Sequence, residues 1–305
     1  MSQIVVAGEA LVDRIVAADG TVRSAVGGGP FNVARTIARL ERPVAFLGCL
    51  STDDAGRQLR ASLLADGVDD RLIATTDLPT TIAVATIGSD GSAAYTFEVE
   101  GTAAPSLTTH DTARALTPEP IAVHVGSLAL AVEPAGHAIS ALIAELPPDV
   151  LVVFDPNCRP SAIADPEAYR KRLAAIRQRA DVVKVSDDDL AFLAPDVDPD
   201  DAVDDLLATG ARVVLRTRGG ESVVVRTPDG ERQVPVPRIA VVDTVGAGDA
   251  FGGAFLAAWT TAGRTRDDLD DLAAVVDATY FAVEVAAITC GRRGADPPHL
   301  DELRR

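Results

Sequence analysis

Asp249 closes the run Asp243-Thr-Val-Gly-Ala-Gly-Asp249, which follows an apolar stretch at 239–242 and opens a helical pattern at 248–261. The apolar stretch predicts a strand, so the N–H groups of residues 245–249 converge at a helix start, where a phosphate would bind. The Asp249 carboxylate then stands in the first helical turn beside that anion. A tight turn at Gly246 and Gly248, with Asp249 merely satisfying the helix end, explains the same residues. The run has no Lys-Ser/Thr for a Walker loop, and Phe251 takes the place of the last glycine in a G-x-G-x-x-G fingerprint, which disfavours a dinucleotide site.

Gly27-Gly-Gly-Pro-Phe-Asn32 leads into a second helical pattern at 31–40. Gly28 and Gly29 let a ligand reach the main chain, and Asn32 supplies both donors and an acceptor, which suits a polyhydroxylated ligand. A simple turn before a helix is the competing reading. Asp13 follows the first strand, where a carboxylate can accept from hydroxyls or stand in an exposed turn. Asp155-Pro-Asn-Cys-Arg159 puts a guanidinium just after another strand, for a ligand or for a surface ion pair.

The elements that must position these residues alternate. Apolar, β-branched runs at 4–7, 44–47, 121–125, 150–154, 182–185 and 213–215 are separated mostly by amphipathic patterns at 31–40, 55–65, 134–145, 166–177 and 202–209. Two longer helical patterns follow at 248–261 and 267–287. This predicts an α/β fold, a doubly wound, mostly parallel sheet flanked by helices, in one domain over 1–305. Two places break the alternation: 11–26, with Ala18-Asp19-Gly20 as its turn, and 80–100, with Asp90-Gly91 as a hairpin turn. They predict a small β lid, with edge strands of the main sheet as the alternative.

The 305 residues carry 28 basic and 45 acidic side chains, a net charge of −17, which argues against nucleic acid or an anionic membrane as partner. Lysine occurs only at Lys171 and Lys184, so anion recognition falls to arginine, backbone N–H groups, helix N-termini or a metal ion. Cys49, Cys158 and Cys290 lie far apart without metal-ligand spacing and read as reduced thiols. No basic start resembles a signal peptide, and Asp277 and Glu284 interrupt the apolar stretch 272–290. A cytoplasmic protein is expected.

Together the two glycine-rich segments resemble the signatures of the ribokinase-like, or PfkB, family of carbohydrate kinases, in the family's order and along almost the whole chain. The resemblance implies a doubly wound fold with a β lid and transfer of the γ-phosphoryl of ATP to a sugar hydroxyl, usually a primary one. It implies Asp249 as the base and the N–H groups of Gly246, Ala247 and Gly248 as the anion hole. Asp13, Gly28, Gly29, Asn32 and Arg159 would meet the sugar. Lys184, Ser186, Thr217, Gly219 and Gly248 would meet the nucleotide. Ser186-Asp-Asp-Asp189 stands where the family often has Asn-x-x-Glu near Mg²⁺, so that Ser and Asp replace both named residues, with Asp189 in the Mg²⁺ region. Asp243 would be the side-chain ligand of a K⁺ site, beside the loop Cys290-Gly-Arg-Arg-Gly-Ala295. The segments look most like the fructokinase branch. Ribokinase, 2-keto-3-deoxygluconate kinase, a nucleoside kinase further off, and a non-catalytic sugar- or nucleotide-binding regulator remain alternatives. Members often pair through their lids, which implies a homodimer.

Overall fold

The computed structural model of the chain describes residues 3–17, 19–87 and 93–304. In chain order its strands are β1 (Ile4–Ala7), β2 (Leu11–Val16), β3 (Val22–Gly27), β4 (Val44–Leu47), β5 (Cys49–Ser51), β6 (Ala74–Thr76), β7 (Ile82–Ile87), β8 (Ala93–Glu98), β9 (Ala122–Gly126), β10 (Leu151–Asp155), β11 (Val182–Ser186), β12 (Val213–Thr217), β13 (Ser222–Thr227) and β14 (Gly230–Pro235). The α-helices are α1 (Gly29–Arg39), α2 (Asp54–Ala65), α3 (Thr109–Ala113), α4 (Ala135–Glu145), α5 (Pro166–Arg177), α6 (Asp187–Leu193), α7 (Pro199–Ala208), α8 (Ala247–Thr261) and α9 (Leu272–Cys290).

One sheet runs in the order β14-β13-β12-β11-β10-β9-β1-β4 and is parallel from β12 to β4. Successive strand residues point to opposite faces, and both faces are covered. Ile4 and Val6 join Phe31, Leu59, Phe255 and Trp259 in one core, whereas Val5 and Ala7 join Ile139, Leu173 and Val203 in the other. Helices α1, α2, α8 and α9 therefore lie on one face, and α4, α5 and α7 on the other. From β1 the chain goes outward to β4 and returns to the opposite side at β9. That reversal opens a crevice at the carboxyl ends of β1 and β9, where sheets of this kind hold ligands.

A second sheet, β3-β2-β7-β8, stands apart from the first. Strands β2 and β3 form the expected hairpin, β7 and β8 pair antiparallel, and β2 runs parallel to β7. The Asp90-Gly91 turn lies outside the described residues, as does Ala18 of the other turn. Gly27 at the end of β3 and Gly28 carry the chain into α1, so the lid hairpin and the start of α1 are one continuous piece.

Two expectations need correction. Residues 239–242 form no strand: Val241 and Val242 are each 61% exposed, and Pro235 and Pro237 interrupt the backbone donors just before them. The sheet is instead completed by the antiparallel hairpin β13–β14, whose turn signal Pro228-Asp229-Gly230 was readable. The last helical pattern splits in two, a 3₁₀ segment at Arg266–Asp270 and then α9, because Asp271 caps the N–H groups of Ala273 and Ala274. Helix α9 is long and apolar enough to cross a membrane, yet it packs on α8 with Val275, Ala278 and Val285 buried.

Candidate active site

Parallel strands deliver their carboxyl ends to one edge of the sheet, so β1, β9, β10, β11 and β12 lead to Glu9, Ser127, residues 155–159, residues 184–189 and residues 217–220 at the same rim. Helix α8 starts over this rim. Gly246 caps it in the left-handed region, at φ 77°, where a Cβ would lie 2.9 Å from Ala295 Cα, so a side chain is excluded both by backbone and by space. The Ala247 N–H donates to Thr244 O at 3.2 Å. The N–H groups of Gly246, Gly248 and Asp249 have no acceptor among the described residues, as the first turn of a helix leaves them.

Asp249 sits in that first turn, 9% exposed. Asn32 Nδ2, one turn into α1, donates to its Oδ2 at 2.8 Å, and Asn157 Nδ2 approaches its Oδ1 at 3.4 Å. Burial pushes the Asp249 carboxyl above its ordinary value, while the Asn32 amide and the charges of Lys184 and Arg159 hold it down. Asp13 on β2 faces the same place: burial and the Asp249 charge push it up to about 6, against Arg159. Gly27 leaves room for the Asp13 carboxylate, since a Cβ there would collide with its Oδ2. Gly28 adopts φ 114° over the Glu9 carbonyl, and Gly29 opens α1. Arg159 donates through Nη1 to the carbonyls of Asn157 and Cys158, at 3.3 and 3.0 Å. The structure thus gathers Asp13, Gly28, Gly29, Asn32, Arg159 and Asp249 beneath the lid.

Beside the start of α8 opens a cavity of about 1050 Å³, which Asn157 and Arg159 also reach. Lys184, Ser186, Thr217, Gly219, Ala247 and Gly248 line it, as do the apolar side chains of Phe251, Val283 and Ala287. Lys184 Nζ donates to Asp155 Oδ2 at 2.9 Å, with both side chains buried, and a Cβ on Gly248 would lie 3.0 Å from that ammonium. Burial alone would lower the lysine, but Asp155, Asp189 and Asp249 raise it above its ordinary value. Burial pushes Asp155 up to about 6 in spite of Lys184. The ammonium therefore remains charged immediately beneath the open end of α8.

Asp189 has a different place from the one expected. Its Oδ1 accepts from Cys158 N at 2.7 Å, and its Oδ2 accepts from Ser186 N and Oγ at 2.9 and 2.6 Å. Ser186 and Asp189 form a capping box that starts α6, so neither presents a free side chain to a metal. Among the described residues no cluster of three acidic, His or Cys side chains could hold a metal ion. Asp243 bridges two loops, accepting from Val245 N at 3.1 Å and from Gly294 N at 2.9 Å.

Glu9, Ser127, Asp155 and Asn157 belong to the site and were not singled out from the sequence. Glu9, 1% exposed, accepts from Gly29 N at 3.2 Å and from Ala129 N at 2.9 Å. A carboxylate directly after a buried strand was the available signal for Glu9, and an Asp-x-Asn directly after another was the signal for the pair at 155 and 157.

The sequence profile of the pfkB family of carbohydrate kinases matches residues 1–302. The chain is 36% identical to a fructokinase of Rhizobium leguminosarum bv. trifolii, over 83% of this chain and 78% of that one. Among solved structures it is similar to the Xylella fastidiosa fructokinase with bound ATP, with TM-score 0.91 and 27% identity over 99% of this chain and 97% of the other. A double-mutant fructokinase of Vibrio cholerae O395 bound to fructose, ADP and potassium ion aligns with TM-score 0.84 and 28% identity, over 97% and 94% of the two chains.

Proposed function

The chain belongs to the pfkB family of carbohydrate kinases, and from that premise we propose that it transfers the γ-phosphoryl group of ATP to a primary hydroxyl of fructose. The observation that carries this reading is the placement of Asp249, held by Asn32 at 2.8 Å in the first turn of α8, directly after Ala247 and Gly248, which line the large cavity. ATP enters the cavity with its adenine toward Phe251 and Ala287 and its phosphates toward Gly246, Gly248 and Lys184. The sugar lies beneath the lid against Asp13, Gly28, Gly29, Asn32 and Arg159, with the reacting hydroxyl on Asp249. Phosphoryl transfer asks the protein mainly for alignment and charge stabilisation. The free N–H groups of α8 and the Lys184 ammonium supply the charge, and Asp249 takes the hydroxyl proton. Its raised pKa brings it nearer the working pH and makes it a stronger base than an exposed aspartate.

Mg²⁺ would neutralise the phosphates, held by their oxygens and by water, because Asp189 is engaged in its capping box. Asp243, between the loop before α8 and the loop after α9, has the carboxylate to hold K⁺, which would steady both loops around the nucleotide. The β2-β3-β7-β8 sheet serves as the lid. By register Val12, Val16, Val22, Val26, Ile82 and Val84 share the face opposite Asp13, and this supports pairing of two copies through it. Free Cys49, Cys158 and Cys290 suit a cytoplasmic enzyme.

A panel of fructose, ribose and 2-keto-3-deoxygluconate assayed by ADP release tests the assignment, and fructose should give the highest kcat/KM. Asp249→Asn should still bind sugar and ATP but lose at least about 10²-fold in kcat. Sugars that raise the melting temperature without any turnover would replace this reading with that of a non-catalytic binder.

A further inference from the structure

Glu9 takes no part in the transfer step, yet it is fully enclosed at the point where the sheet reverses. Its two oxygens are divided between two segments. Oε1 accepts from the N–H of Gly29, the residue that opens α1 and stands three positions before Asn32. Oε2 accepts from the N–H of Ala129, in the turn after β9. That turn also carries Ser127, whose Oγ receives Asn157 Nδ2 at 3.5 Å. Asn32 and Asn157 are the two amides on Asp249. Ser127 at φ 63° occupies a backbone conformation that a serine adopts only where its surroundings compel it, and Asn157 at φ 39° lies at positive φ, which asparagine tolerates. A buried carboxyl anchoring the Ser127 turn is such a constraint.

We propose that Glu9 is a positioning residue, which clamps the start of α1 to the turn after β9 so that Asn32 and Asn157 hold Asp249 at the angle required for transfer. The inference rests on the kinase reading above. Burial pushes Glu9 up to about 7, opposed by the Ala129 N–H, the Ser127 hydroxyl and the Arg159 charge. Around it stand Arg159 after β10 and Tyr169 on α5, while Asp13 on β2 and Asp249 on α8 feel the same Arg159. A protonated Glu9 turns one acceptor oxygen into a donor facing an amide N–H, so the clamp loosens below about pH 7.

The test uses the full chain and four single variants, Glu9→Gln, Ser127→Ala, Asn157→Ala and Asp249→Asn, with the Ser127→Ala/Asn157→Ala double variant. Glu9→Gln should lower kcat at least about tenfold and leave KM for ATP within about twofold. The acid limb of its kcat profile should move down from about 7 toward about 6, where Asp13 titrates. A wild-type kcat, or a lowered kcat with the limb unmoved, overturns the proposal. Should the glutamine protein not fold, Ser127→Ala and Asn157→Ala each lower kcat, and the double variant should be no worse than the poorer single one. Fully additive losses overturn the link. Turnover retained in Asp249→Asn sinks the kinase reading itself, whereas its loss beside an unaffected Glu9→Gln sinks only the clamp.

Discussion

Replacing Lys184 with methionine removes an ammonium and keeps most of the side chain's length, which isolates the charge as the variable. Asp155 is left behind, 2% exposed, with Oδ2 deprived of its partner and Oδ1 already without one among the described residues. Stripping one partner from a buried ion pair costs about 3–5 kcal/mol. Protonation of Asp155 limits that cost. Carrying a carboxyl of ordinary pKa 3.8 as its neutral form at pH 7 costs roughly 1.4 kcal/mol per pH unit, about 4 kcal/mol in all. The pH dependence follows in sign. In the wild type the folded value of about 6 exceeds 3.8, so the Asp155 contribution to stability is greatest at low pH and is lost as pH rises between those values. Without Lys184 the folded value rises further, so the Asp155 contribution goes on falling above pH 6 in the variant, where in the wild type it has levelled off. The gap between them should therefore widen from pH 6 to pH 8 by up to about 1.4 kcal/mol per unit, as read by urea melts at both values. Turnover is the second readout. Loss of a charge-assisted hydrogen bond worth about 1.5–3 kcal/mol to the phosphoryl group predicts a fall of about 10- to 10²-fold in kcat by ADP release. An equal stability gap at both pH values together with wild-type kcat would refute the role of the pair.

Asp13→Asn should weaken fructose binding by about tenfold at neutral pH in calorimetry, since a charge-assisted hydrogen bond becomes a neutral one. Because burial and the Asp249 charge push Asp13 up to about 6, wild-type affinity should fall as pH drops through that value, and a flat wild-type profile would contradict the contact. Gly246→Ala places a methyl group on a left-handed backbone against Ala295 and should cost more than about 1 kcal/mol in urea melts while raising KM for ATP. An unchanged KM would detach that loop from the nucleotide.

The parts of the site legible in the sequence share one property: each can be read within a single segment. Gly246, Gly248 and Asp249 are neighbours in a loop that starts a helix, and Gly28, Gly29 and Asn32 are neighbours in another, so residue type and spacing singled them out as candidates, with a plain turn as the competing reading. The fold was legible for a similar reason, since a strand buried on both faces must be apolar throughout, as β1, β9, β10 and β11 nearly are. What remained hidden depends on pairings across the sheet. Lys184 and Asp155 meet only because β10 and β11 align Val153 with Val182, and Glu9 reaches Ala129 only because β1 lies beside β9. Asp189 is a local case: with the N-cap Ser186 it has the S/T-x-x-D spacing of a capping box at the start of α6, a signal the sequence carried beside the family position that points toward a metal. At Asp189 the local rule decides: the first turn of α6 would otherwise leave Ser186 N and Asp189 N without partners, and that need is met whether or not a metal is near. A capping contact of this kind also exposes a cost of moving the residue. Freeing Asp189 to hold a cation would uncap α6 and release Cys158 N, so a metal at this rim is better held by phosphate oxygens than by the chain.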